Sequence, residues 1–291
     1  MDLGFWGFRH WPFDRTFSAE RFFASQQHDE AMARMLYLVE ESRRCGIIVG
    51  PSGTGKTYLL KLLQQRSERL GRLTVRCEAT GIEGEEFTGQ IAVGCNAAVD
   101  PNATSARIWS GLRARFAALA VIRQPLVILI DHFDQVEFRC QQAVWRLNQL
   151  ADAVGLKLTV VLATRDRTFP AVLQDLVELR IDIAPWSSAE TSQFINSAVE
   201  HAGCHGSLFT VDALAAIHEI TNGVPARIVS LSSHSLLAAR GQDQMVVTRE
   251  FVEAAARELL PRGDHIPANH FSPSALPLGK KHSESIGVFG R

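Results

Sequence analysis

The spacing of apolar residues changes along this chain, and the changes divide it. From His28 to Ser42, Ala31, Met32, Met35, Leu36, Leu38 and Val39 recur at mostly helical intervals, which predicts a helix after an aromatic, proline-containing start that runs to about Phe23. Short β-rich runs then alternate with helical patterns: Gly46 to Val49, Leu73 to Arg76, Leu126 to Ile130, Leu158 to Ala163 and Glu178 to Ile183. Five strands separated by helices predict an α/β fold with a parallel, doubly wound sheet. Val127 to Ile130 and Val160 to Leu162 contain no polar alternation, so helices must cover both of their faces.

After Pro185 the strand signal stops. Ser187-Ser188-Ala189-Glu190 has the spacing of a capping box, and further helices read at about Val211 to Thr221, Pro225 to Arg240 and Thr248 to Leu260, with breaks at Asn222-Gly223 and Gly241. The organisation expected is an N-terminal aromatic segment and helix over 1–45, a core over 46–185 and a helical lid over 186–261. Residues 262–291 hold Pro267, Pro273 and Pro277 among Gly, Ser, His and Lys, which predicts a tail without fixed structure. No internal repeat is evident.

Composition changes this picture little. Hydrophobic residues make up 46% and charged residues 21% of the 291, which excludes wholesale disorder, collagen-like repetition and a membrane bundle. A net charge of -1 provides no sequence-wide attraction to nucleic acid or anionic lipid. Cys45, Cys77, Cys95, Cys140 and Cys204 are odd in number and include no C-x-x-C pair, so neither a zinc site nor a full disulfide framework is expected. The N-terminus lacks a basic region followed by a long apolar run, and no apolar run approaches the ~20 residues of a spanning helix. A cytoplasmic chain without a membrane span is the expectation.

The strongest chemical signal is Gly50, Pro51, Ser52, Gly53, Thr54, Gly55, Lys56 and Thr57, a G-x-x-x-x-G-K-[ST] sequence between an apolar strand and the amphipathic run that begins at Tyr58. Backbone N–H groups of such a loop, with the positive end of the following helix, cradle phosphates. Lys56 can reach the terminal phosphates and the Thr57 hydroxyl can ligate Mg²⁺. A second ligand to that ion belongs at the end of another buried strand beside the loop, where Asp131 closes Leu126 to Ile130. Beyond it stand His132, an imidazole where an attacking water is usually oriented by a carboxylate, and Asp134, the nearest other carboxylate. Thr164 ends the next strand with a hydroxyl suited to touch the terminal phosphate or the water. Arg180 and Arg227 are candidates to stabilise the transferring phosphoryl group.

These residues resemble the ATPase module of the general secretion pathway protein A (ExeA-like) family of AAA+ proteins. The resemblance runs from about Phe5 to Leu260 and rests on Phe5-Trp6-Gly7-Phe8, Trp11-Pro12-Phe13, His28-Asp29-Glu30-Ala31, the loop at Gly50 to Thr57, Ile130-Asp131, Pro185-Trp186-Ser187 and Gly223-Val224-Pro225. It implies a P-loop core with strand order 5-1-4-3-2, a helical lid, ATP and Mg²⁺ at the cleft, and assembly of identical chains into dimers or rings. Lys56, Thr57 and Asp131 match family positions. His132 stands where the family has glutamate, which predicts slow hydrolysis. Ala226 stands where a lid arginine is usual, with Arg227 one position late, and Leu176 replaces an arginine for which Arg180 is the nearest candidate. The function expected is an ATP-driven conformational switch acting on a protein partner the sequence does not identify. The alternatives are an ATP-binding regulatory or scaffold subunit that does not hydrolyse, and a DNA-dependent helper ATPase of the transposition type, for which no arginine-rich stripe or aromatic platform is visible.

Overall fold

The unbroken apolar runs become the middle of a parallel sheet. In the computed structural model, which describes residues 3–14, 16–100, 103–165 and 170–259, five strands lie in the order β2-β3-β4-β1-β5. They are β1 (Cys45–Val49), β2 (Leu73–Glu78), β3 (Leu126–Asp131), β4 (Leu158–Thr164) and β5 (Val177–Asp182). This is the expected 5-1-4-3-2 order read from the other edge. The tail expected over 262–291 lies outside the described residues.

Every residue of β1, β3 and β4 is buried, whereas the edge strands β2 and β5 alternate. Successive side chains of the central strands enter opposite layers. Ile47, Ile128, Ile130, Val160 and Leu162 pack with α4 (Gly84–Gly94), α5 (Ser105–Val121) and α6 (Phe138–Val154). Ile48, Val127, Leu129, Val161 and Ala163 pack on the other side with α2 (Gln26–Glu40) and α3 (Lys56–Arg69).

Past β5, Ser187 caps α7 (Ser188–His201) through the expected reciprocal bonds with Glu190. Helices α8 (Val211–Thr221), α9 (Pro225–Arg240) and α10 (Arg249–Leu259) follow. Their apolar cluster takes in Trp6, Phe8 and Phe13 from the chain start, which opens with the short helix α1 (Leu3–Trp6). The aromatic start therefore completes the core of the helical unit, and Trp11 Nε1 donates to Ser233 Oγ of α9 at 2.8 Å.

The helical unit joins the sheet at Trp186, whose N–H donates to the Gly223 carbonyl at 2.8 Å. Gly223 has φ 69°, and a Cβ there would lie 2.0 Å from the Trp186 carbonyl oxygen. A left-handed φ alone costs a non-glycine residue about 1–2 kcal/mol. We therefore expect Gly155→Ala, at φ 71° with open space around it, to cost about 1 kcal/mol in urea unfolding. Gly223→Ala should cost at least about 2 kcal/mol more, because Trp186 has to move; equal losses would show that the junction is slack.

Candidate nucleotide-binding site

The loop after β1 is held by its carbonyl groups. Lys56 Nζ donates to the carbonyls of Gly50 at 2.7 Å and Pro51 at 2.9 Å, and the Thr54 hydroxyl also donates to Pro51 at 2.9 Å. From outside the loop, Ala226 N–H of α9 donates to the Gly53 carbonyl at 3.1 Å, and His28 Nε2 donates to that of Thr54 at 2.9 Å. A trans peptide points its N–H opposite its C=O. The amides of Ser52, Thr54 and Gly55 are therefore turned the other way, at the start of α3, where the helix dipole favours an anion. Gly55 has φ 98°, and a Cβ there would stand 2.9 Å from His28 Nε2, so only glycine lets this histidine reach the loop.

His28 is buried and joins three segments. Its Nδ1 lies 2.6 Å from the Ser25 hydroxyl and accepts from Trp186 Nε1 at 3.3 Å. The Thr54 carbonyl can only accept and the indole can only donate, which makes the ring neutral with its hydrogen on Nε2. Burial lowers its pKa below the usual histidine value, against the opposing pull of the Thr54 carbonyl and of Glu190 and Asp29.

Asp131 ends β3 and is 1% exposed, with β4 lying between it and β1. As the expected order 5-1-4-3-2 has it, the strand directly beside β1 is β4, whose Thr164 carbonyl accepts the Gly50 N–H at 3.2 Å. Asp131 still reaches the site because the C-terminal ends of parallel strands share one edge. Its Oδ1 accepts from the N–H of His132 at 3.0 Å, while Oδ2 is buried without a hydrogen-bond partner. Leaving such an oxygen unpaired costs about 1–3 kcal/mol. A hard cation removes that cost, and the hydroxyl of Thr57 on the same cavity is the kind of ligand it takes. The donor set fits Mg²⁺. Burial lowers the pKa of Lys56 and the negative charges of Asp131 and Asp134 counter it, so the ammonium is held in a site that already favours paired charge.

These groups line one cavity of about 700 Å³, within the range of small-molecule sites. Ser52, Gly53, Gly55, Lys56, Thr57 and Tyr58 form its floor, with Asp131, His132 and Asp134 at one side and Pro225, Ala226 and Val229 of α9 at another. Pro12, Phe13, Phe17, Phe22 and Phe23 of the chain start form a further wall, and Arg165 after β4 and Phe194 and His201 of α7 also line the cavity. Tyr58 bonds to the backbone of Ser18 and stacks on Phe22 with ring centroids 5.5 Å apart, which fixes that wall over α3.

Not every expected residue arrives. Asp134 lines the cavity but is engaged by Arg165, at 2.7 Å from the guanidinium and 3.0 Å from the backbone N–H. Burial would raise its pKa, yet the bonds from Arg165 outweigh it and hold the carboxyl below the usual range, which makes it a poor base. Thr164 is buried behind the loop and is not among the lining residues. Arg180 sits on the edge strand β5, paired with Asp182 at 2.9 Å, away from the cavity. Arg227 is exposed outside the lining, where Ala226 faces the loop instead. Gly50, Pro51 and Thr54 support the loop from behind. The residue that sequence reading missed is Glu78: β2 was expected beside β3 but to end at Arg76, two residues short of the position opposite Asp131. The buried thiols of Cys45, Cys77 and Cys95, raised to about 12 by burial, take no part.

Residues 39–167 match the family model described as AAA domain. The chain is 22% identical over 271 residues to general secretion pathway protein A of Aeromonas hydrophila, covering 89% of this chain. It spans about half the length of that relative, 48%. Among solved structures it is similar to the Orc1 protein of Aeropyrum pernix in complex with DNA, with a TM-score of 0.68 at 18% identity over 86% of this chain and 69% of that one. It is also similar to Cdc6p of Pyrobaculum aerophilum, with a TM-score of 0.70 at 17% identity over 86% and 70%. The Holliday junction branch migration motor RuvB of Thermotoga maritima gives 0.56 at 13% over 85% and 73%. The fold is that of the P-loop AAA+ ATPases, in a chain that resembles general secretion pathway protein A. Among the described residues no helix is long and apolar enough to cross a membrane.

His28 makes stability depend on pH. Its folded pKa lies below the ordinary 6.5, so below that value the unfolded chain binds more protons than the folded one. Stability is complete above pH 6.5 and falls as pH drops from there toward the folded pKa. In melting curves from pH 7.5 to 5, the native chain should lose more stability than His28→Gln, whose amide can donate and accept without titrating. Parallel curves would contradict the neutral, three-way histidine.

Proposed function

We propose that the chain binds ATP with Mg²⁺, the phosphates against the amides ahead of Lys56 and the ion between Thr57 and Asp131, and that it acts as an ATP-driven conformational switch. The observation that carries this reading is the bond from Ala226 to Gly53. The first turn of α9 holds the same loop that would hold the phosphates, so a change at the loop is felt directly by the helical unit over 186–261, read here as a lid. Likeness to general secretion pathway protein A and to Orc/Cdc6-like proteins supports nucleotide use and assembly of identical chains into dimers or rings. The partner that reads the switch is a macromolecule, taken here to be a protein.

Hydrolysis, ATP and water giving ADP and phosphate, is part of the proposal, at a low rate. His132 replaces a carboxylate, Asp134 is occupied by Arg165, and neither Arg180 nor Arg227 lines the cavity. Those same placements favour the second reading, a subunit that holds ATP without turning it over. A DNA-dependent helper is kept as an outcome of the test because the similar Orc1 structure contains DNA.

Lys56→Ala should weaken ATP binding at least about tenfold, the effect of losing a charge-assisted contact to phosphate; equal affinity in the two proteins would end the nucleotide reading. Turnover measured with and without duplex DNA, beside sedimentation in ATP, separates the rest. A rate above about 1 per second removes the non-hydrolysing reading. Stimulation by DNA that fades steeply with salt selects the helper ATPase.

A further inference from the structure

Glu78 closes β2 directly opposite Asp131 in the β2–β3 register. Its Oε1 lies 2.6 Å from Nδ1 of His132 and accepts the hydroxyl of Thr80 at 2.9 Å. A carboxylate only accepts, so the hydrogen of the contact with His132 is on Nδ1, and in the neutral ring Nε2 is left as the acceptor. His132 is held at its backbone too. Its N–H donates to Asp131 Oδ1 at 3.0 Å, and its carbonyl accepts from the Gln135 N–H at 2.9 Å. Its φ of 54° is a left-handed conformation that a β-carbon disfavours. A strained residue pinned on both sides, lining the cavity next to a buried aspartate with an unpartnered oxygen, is placed by its surroundings.

We infer that Glu78 is a positioning residue for the hydrolysis proposed above. By holding Nδ1–H it orients the ring of His132 and makes Nε2 the atom that accepts a hydrogen bond from the attacking water. The carboxylate expected next to Asp131 has in effect moved to the neighbouring strand and works through an imidazole. Asp134 is not an alternative, being held by Arg165. The inference rests on the ATPase reading and adds to it the pair that orients the water.

The test uses the full chain with three measurements: affinity for a fluorescent ATP analogue, kcat, and the protonation site of His132 from its side-chain ¹⁵N signals. The native ring should carry hydrogen on Nδ1, and Glu78→Ala should shift it toward Nε2. That variant should lower kcat about tenfold or more, as misplacing a reacting group does, while affinity stays within about twofold of native, which also reports an intact site. Glu78→Gln, whose amide oxygen can still accept from Nδ1, should retain most of the rate. His132→Glu alone puts two carboxylates within hydrogen-bonding distance and should stay slow; adding Glu78→Gln should raise its kcat. The inference is overturned by hydrogen on Nε2 in the native ring, by native kcat in Glu78→Ala, by equal losses in Glu78→Ala and Glu78→Gln, or by a native chain that binds ATP without turnover. A native chain with no affinity for ATP defeats the nucleotide reading itself, and the affinity measurement distinguishes that failure from a failure of Glu78.

Discussion

A loop can present its N–H groups to a ligand only if something else satisfies its carbonyls, because buried backbone acceptors without partners are costly. In this protein the partners come from four places: Lys56 within the motif, Thr54 within the loop, Ala226 at the start of α9 and His28 near the start of α2. The motif supplies only the first two. The outer two bind the loop to elements 26 and 173 residues away in sequence, counted from Thr54 to His28 and from Gly53 to Ala226, so the shape of the loop depends on elements far apart in the chain.

The same constraint explains the N-terminal aromatic residues. Trp6, Phe8 and Phe13 are buried in the core of α7–α10, whereas Phe17 and Phe22 pack over Tyr58 on the side of α3. One short segment therefore spans from the helical unit to the cavity beside the loop and forms a wall of it. His28 and Trp186 lie where these parts meet, with Gly223 closing the joint against the Trp186 carbonyl. The joint is made of one titratable ring, one indole and one glycine, with Trp186 bonded to the other two.

The core of the fold was legible because its periodicities are strong. All-apolar strands must be covered twice, and the alternation of strand and helix leaves few topologies. The strand ends were less legible. Cys77 and Glu78 extend β2 beyond its expected end at Arg76, since ladder hydrogen bonds continue wherever a neighbouring strand offers partners, whatever the side chains. The arginines were not legible. A guanidinium on a long flexible stem is drawn to the nearest carboxylate, and for Arg180 that is Asp182 on its own strand, for Arg165 it is Asp134.

By itself the sequence determined the residues of the loop, the apolar strand that ends in Asp131 and the sheet covered on both faces, because these follow from spacing within one short segment or from hydrophobic periodicity. Tertiary structure alone decided that Glu78 meets His132, and that Asp134 is occupied while Arg180 and Arg227 stay outside the cavity. Those outcomes depend on which strand ends become neighbours and on competition among charges far apart in the chain. Neither is encoded by local spacing; both are settled only when the strands have assembled and each polar group takes the partner within its reach.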